Sequence, residues 1–224
     1  MEAKLFPLNM NMIIFYKIIF IIAAYLFGSI PIAYILYKAK TGGDIREKGS
    51  GNVGGTNIAR TVGATAGVIT ILIDVLKGFL PIMAVYFLFP DDLILAAITT
   101  VVTVLGHDYS IYLNFKGGKG IATSLGAIIG LCSFPFTDST VLIRILPMII
   151  ILAVWLLIFI IFRIVSLASL IAAVATPLSF YFSKYPLAIV IAAIFLFILT
   201  FIAHRDNIKR LIKKEEKKLK RKGA

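Results

Sequence analysis

Seven apolar runs dominate this chain, at about residues 13–37, 62–89, 93–106, 121–134, 141–162, 164–182 and 186–203. A helix needs about 20 residues to cross the hydrocarbon core of a bilayer. Five of the runs meet or approach that length. The runs at 93–106 and 121–134 fall short, so they are expected to start inside the headgroup layer or to be partly re-entrant. Re-entrant backbone is tolerated only where protein or water covers it. Of the 224 residues, 60% are apolar and 15% are charged, against about 45–50% and about 25% in an ordinary globular domain. A soluble fold of this size could not cover that much apolar side chain. The expected fold is therefore an all-α integral membrane protein with about seven transmembrane helices, some short or re-entrant. The first run is too long for a secretory signal, and no small-residue cleavage site precedes a soluble domain, so it is read as a span.

The cations set the expected orientation. Lys38, Lys40, Arg46, Lys48 and Arg60 follow the first run, Lys116 and Lys119 the third, Arg163 the fifth, and a basic tail the last. The alternate turns are light: Asp91 and Asp92 without a cation, Asp138 with Arg144 a little deeper, and Lys184. This pattern puts the amino terminus outside and the carboxyl terminus in the cytoplasm. Seven crossings satisfy that parity, as would five. Residues 1–204 are read as one polytopic membrane domain with a site at its cytoplasmic face. Residues 205–224 are read as a basic cytoplasmic tail. Ten of the 23 Lys and Arg residues lie in that tail, so the net charge of +12 speaks for anionic lipid as the tail's partner rather than nucleic acid. One cysteine, Cys132, excludes a disulfide framework or thiolate cluster, and two histidines, His107 and His204, argue against a multi-histidine metal site.

Three polar stretches concentrate the chemistry, all on the expected cytoplasmic side. The first, GSGNVGGTNIAR at 49–60, combines glycines, short neutral donors and a terminal Arg60 ahead of an apolar helix. Glycine lets backbone N–H groups approach closely, and a helix start favours anions, so the stretch reads as a cradle for a phosphate or acyl oxyanion. The second runs from Gly106-His107-Asp108 to FKGGKGIAT at 115–123. It lacks the spacing of a nucleotide P-loop: Lys119 is followed by Gly120, and Leu113 stands five positions before Gly118. A lysine on a glycine loop still suits a phosphoryl group. The third, HRDNIKRL at 204–211, puts His204, Asn207 and Ile208 on one face of a continuing helix with Arg210 to one side. Beyond Lys213 the reading is a basic segment lying on lipid. Asp74 and Lys77, three apart in the second run, are expected to pair within the bundle. Ser166 and Ser169, following Arg163 at helical spacing, either pack or complete the anion site.

These residues resemble the bacterial membrane acyl-phosphate:glycerol-3-phosphate acyltransferases. That family carries three motifs, and the stretches at 49–60, 106–123 and 204–211 are similar to them in order. GSIP at 28–31, DVLKG at 74–78 and RIVSLAS at 163–169 look like further family signatures. The resemblance covers roughly residues 18–216. Gly55 stands where the family usually has Ala, Tyr109-Ser110 where Phe-Pro is common, and Lys214 where Gly is usual. The stretch at about 132–146 is longer than typical.

The resemblance implies a seven-helix protein of the bacterial inner membrane and one reaction. An acyl chain moves from acyl phosphate to the 1-hydroxyl of sn-glycerol 3-phosphate, giving lysophosphatidic acid and phosphate. The donor is already activated, so neither a cofactor nor a metal nor a covalent nucleophile is expected, and no obligate protein partner. On this reading Ser50, Gly51, Asn52, Thr56, Asn57, Gly117 and Gly118 meet the acyl phosphate and its oxyanion. Arg60, Lys119, His204, Asn207 and Arg210 hold the glycerol phosphate, with Lys119 between the two phosphates. Ser50, Asn52, Thr56, Asn57, Lys119 and His204 are the expected catalytic set, and Ser166 and Ser169 join the substrate-binding set. The H-x-x-x-x-D pair of soluble glycerolipid acyltransferases is missing: Tyr112 and Lys209 stand five residues after the two histidines. A transporter of a phosphorylated metabolite is the alternative reading, and a non-catalytic lipid-binding protein a further one. A transporter would want a midplane site and often inverted repeats, and no repeat is visible.

Overall fold

The computed structural model of the chain describes residues 9–134 and 140–218. Asp138 and the end of the basic tail at 219–224 lie outside the described residues. Ten α-helices form, with no strand among the described residues. They are α1 (Met10–Ser29), α2 (Ile32–Thr41), α3 (Gly55–Thr61), α4 (Ala64–Leu88), α5 (Leu93–Asp108), α6 (Ile121–Ser133), α7 (Val141–Phe162), α8 (Val165–Phe182), α9 (Leu187–Ala203) and α10 (Arg205–Ile212). The chain is an all-helical membrane bundle. Among the described residues five stretches are long and apolar enough to span: Met10–Thr41, Ala64–Leu88, Leu93–Leu113, Val141–Phe162 and Val165–Phe182. A sixth arises if α9 and α10, bent by 62° at their junction, count as one.

The first run, read from sequence as one span, is broken into α1 and α2. Pro31 carries no N–H and cannot continue the ladder. The Ile30 carbonyl beside the break accepts from the Lys77 ammonium at 2.9 Å. That ammonium also meets Asp74 Oδ1 at 2.9 Å, so the expected pair on α4 forms and in addition secures the break. Both side chains are buried. The third run is longer than expected, because a 3-10 turn at Ile111–Leu113 extends α5 toward a full crossing.

The fourth run stays short: α6 has 13 residues. Its backbone is covered by protein, as a partial crossing requires. Glycines allow this. A Cβ on Gly78 of α4 would strike the Thr123 carbonyl of α6, and one on Gly126 of α6 would strike the Val75 carbonyl of α4. Such small-residue contacts let membrane helices approach closely. Gly28 of α1 and Gly106 of α5 do the same for that pair, against Thr103 and Tyr25 carbonyls. The apolar core, with Ile82, Val85, Ala127, Leu131, Phe180, Ile189 and Leu196, lies among α4, α5, α6, α8 and α9. In contrast α7 buries little beyond Pro147 and Ile151 and turns exposed leucines and isoleucines outward, as a lipid-facing helix does.

Candidate active site

At one end of the bundle the three polar stretches meet around a cavity of about 860 Å³. Ser50, Gly51, Asn52, Thr56, Asn57, Arg60, Gly117, Gly118, Lys119, Ser166, Ser169, His204, Asn207 and Arg210 all line it. Every residue of the expected catalytic and substrate-binding sets is thus brought to one place. Below the polar end the cavity continues between α6, α7, α8 and α9 past Leu125, Ile128, Leu152, Trp155, Ala172 and Leu196.

The first stretch is folded by Asn57. Its amide oxygen accepts from the Ser50 backbone N–H at 2.9 Å. Its amide nitrogen donates to the Lys48 and Asn52 carbonyls at 3.0 Å each. The side chain is 1% exposed and its hydrogen-bonding groups are engaged within the loop. Asn57 therefore shapes the cradle, and its amide is not presented to a ligand. The stretch does not lead straight into the long apolar helix either. Residues 55–61 form the separate helix α3, and α4 begins only at Ala64. Ser50 and Arg60 remain exposed at the rim.

The second stretch is pinned back onto α5. The Gly117 N–H donates to the Asp108 carbonyl and the Gly118 N–H to the His107 carbonyl, each at 3.0 Å. These two amides are engaged within the protein, while both glycines line the cavity. What the glycines supply is room. A Cβ on Gly118 would strike the His107 ring at Nε2 and the Val53 carbonyl. His107 Nδ1 in turn lies 3.1 Å from Thr123 Oγ1 and 3.7 Å from Asp74 Oδ1. His107 was not among the expected site residues, yet its ring lines the cavity wall.

Lys119 leaves this loop into the cavity and donates to Asn207 Oδ1 on α10. Burial lowers its ammonium to about 8, against the opposing pull of Glu216 and with help from the nearby Arg210 cation. The bend between α9 and α10 comes at His204, which is 3% exposed. His204 Nδ1 sits 2.9 Å from the Thr200 carbonyl. A carbonyl only accepts, so Nδ1 carries the proton and Nε2 is left as an acceptor. Burial, then the neighbouring Lys119 cation, bring this imidazole down to about 4. It is neutral near pH 7.

The expected lipid-lying segment beyond Lys213 does not hold for Glu216. The α10 helix ends at Ile212, Lys214 adopts a left-handed φ of 59°, and the chain turns back. The Glu216 carboxylate accepts from Arg210 Nε at 2.6 Å, Asn207 Nδ2 at 2.6 Å and Ser166 Oγ at 2.9 Å. Burial alone would raise its pKa; those three hydrogen bonds outweigh it and hold the carboxyl below its usual range. Ser166 thus joins the polar end, while Ser169 accepts from Trp155 Nε1 at 3.2 Å where the polar and apolar parts meet. The sequence carries no distinct signal for Glu216, which follows Glu215 among lysines.

The arrangement offers cations (Arg60, Lys119, Arg210), neutral donors and one unprotonated imidazole nitrogen to anionic groups, beside an apolar limb that suits a hydrocarbon chain. Comparisons with known proteins agree. A family model described as glycerol-3-phosphate acyltransferase matches residues 18–214. The chain is 42% identical over 204 residues to the glycerol-3-phosphate acyltransferase of Endomicrobium trichonymphae, covering 91% of this chain and 96% of that protein. It is 40% identical over 192 residues to that of Aquifex aeolicus (86% and 93% covered). Among solved structures it is similar to the crystal structure of PlsY, an integral membrane glycerol 3-phosphate acyltransferase, in its glycerol 3-phosphate form. The TM-score is 0.81 with 36% identity, covering 92% of this chain and 96% of that one. The lysophosphatidic acid form matches with a TM-score of 0.79 and 35% identity, at the same coverage.

Proposed function

The chain belongs to the glycerol-3-phosphate acyltransferase family, and from that premise we propose that its acyl donor is an acyl phosphate and its product lysophosphatidic acid, with inorganic phosphate released. The observation that carries this reading is one cavity with both a cationic, donor-rich end and an apolar limb. Two phosphate-bearing reactants fit the one and an acyl chain the other. PlsY, with 36% identity, is described in glycerol 3-phosphate and lysophosphatidic acid forms, which supports the same acceptor and product here.

In the proposed complex, Ser50, Gly51, Asn52 and Thr56 surround the acyl phosphate, in a cradle whose shape Asn57 fixes. Gly117 and Gly118 let the second loop pack closely on α5 and so set the wall beside that donor. Arg60, Asn207, Arg210 and His204 hold glycerol 3-phosphate, and Lys119 lies between the two phosphates. Cations placed where charge develops stabilise the tetrahedral oxyanion, and holding both reactants side by side supplies much of the rate. The acceptor hydroxyl attacks the carbonyl carbon. The new ester C–O bond forms, the anhydride C–O bond breaks, and the phosphate departs with the bonding pair. The hydroxyl proton goes to an oxygen of that phosphate. A phosphate oxygen, with a second pKa of about 6, is a better acceptor than an imidazole held at about 4. His204 Nε2 instead orients the acceptor, taking a hydrogen bond from the substrate. The active site faces the cytoplasm, with the amino terminus outside and the protein in the bacterial inner membrane. The excess of Lys and Arg at this end supports that orientation.

Donor choice tests the reading. Purified protein receives glycerol 3-phosphate with either palmitoyl phosphate or the matching acyl thioester. Turnover with the phosphate alone is the expected result; turnover with the thioester alone contradicts it.

A further inference from the structure

The apolar limb has a definite end. Moving away from the polar loops, the last residue of each helix to line the cavity is Ile128 on α6, Ile151 on α7, Thr176 on α8 and Leu196 on α9. All four are at least nine-tenths buried. From Ser166 at the polar end to Thr176 the α8 wall runs ten residues, about 15 Å at about 1.5 Å per residue. Along this wall the side chains are small: Ser169, Ala172 and Ala173 all line the cavity. Thr176 is the first bulkier one, with its χ1 fixed by a hydrogen bond from its hydroxyl to the Ala172 carbonyl at 2.9 Å. One turn further the space is shut. Phe180 is fully buried and meets the Tyr185 ring edge-on at 4.8 Å, and the Tyr185 hydroxyl is tied to the Arg144 carbonyl at 2.7 Å.

We propose that Thr176 is a specificity-determining residue that, with Leu196 facing the same end, sets the acyl length the cavity accepts best. The inference rests on the acyl phosphate reading above for the identity of the donor. The physical reason is that a closed, well-packed end resists extra volume. Methylenes that reach Thr176 gain burial. Methylenes beyond it must leave sideways, past Leu152, which lines the cavity next to Ile151 and is 42% exposed. Past that point added length brings no further binding inside the protein.

The experiment compares kcat/KM for hexadecanoyl and octanoyl phosphate in the wild type, Thr176→Phe and Leu196→Ala. Bulk at 176 is expected to lower the hexadecanoyl-to-octanoyl ratio about tenfold or more, the scale of discrimination that apolar pockets reach. Trimming Leu196 is expected to raise it. A ratio that stays at the wild-type value in both variants overturns the proposal. If Thr176→Phe fails to fold, Leu196→Ala decides alone, and an unchanged ratio there overturns it. If the wild type uses thioesters and no acyl phosphate of either length, the donor reading fails. The same ratio measured with thioesters then still scores the length inference separately.

Discussion

Arg210 Nε and the Glu216 carboxylate are 2.6 Å apart, so an acid from the basic tail sits in the cationic end of the cavity. Glu216 also takes hydrogen bonds from Asn207 and Ser166 and raises the pKa of Lys119. Its removal has two expected effects. Glu216→Ala frees three donors from their aligned positions and raises KM for glycerol 3-phosphate about tenfold, the scale of one charge-assisted hydrogen bond. Glu216→Gln removes the charge and moves the alkaline limb of activity to lower pH. Steady-state kinetics across pH check both.

Lys119 sets that limb. Below about 8 its ammonium is charged and attracts the substrate phosphates; above about 8 it is neutral and the attraction is lost. kcat/KM for glycerol 3-phosphate is therefore expected to fall as pH rises through about 8. Lys119→Arg keeps the charge at all accessible pH, so that variant, whatever its absolute rate, is expected to lose the limb. Persistence of the limb in the arginine variant would assign it to another group.

His204→Ala separates positioning from base catalysis. With the leaving phosphate as proton acceptor, the variant at saturating glycerol 3-phosphate is expected to lose far less than a general base would cost, with KM raised. A fall in kcat of about 10⁴-fold at unchanged KM would make His204 the base.

Asn57→Ala is expected to act on stability as well as activity. The wild-type side chain is buried and ties the loop together through hydrogen bonds to Ser50, Lys48 and Asn52. Losing it leaves the Ser50 N–H without its acceptor and the loop unheld, at about 0.5–1.5 kcal/mol per lost hydrogen bond. A lowered unfolding temperature in detergent together with a raised KM is the expected pair. A pure kcat loss at unchanged stability would return Asn57 to the catalytic set.

These residues also show what the sequence could reveal. The polar lining of the cavity was legible because its cations and glycines interrupt long apolar runs, where a polar group is costly and stands out. Lys119 between two glycines and His204 at the end of an apolar run are such interruptions. Glu216 was not legible, since it lies among lysines where a charge reads as solvated, and only the turn at Lys214 sends it back. The α3 helix was missed for a related reason: seven residues opening on glycine carry little helical signal. The shortness of α6 could be read from its run length, and the break in the first run from Pro31, which lacks the N–H that a continuing helix needs, although apolar residues continue on both sides of it. The roles of Asn57, Gly117 and Gly118 depend on where hydrogen bonds go, which a motif does not state.

The most direct test of the central claim, that one cavity holds two phosphate-bearing reactants side by side, follows the label. Purified protein in detergent micelles is given acyl phosphate and radiolabelled glycerol 3-phosphate. Labelled lysophosphatidic acid is the expected result, with inorganic phosphate released one for one. No labelled lipid in micelles, with counterflow of glycerol 3-phosphate in liposomes instead, would contradict it.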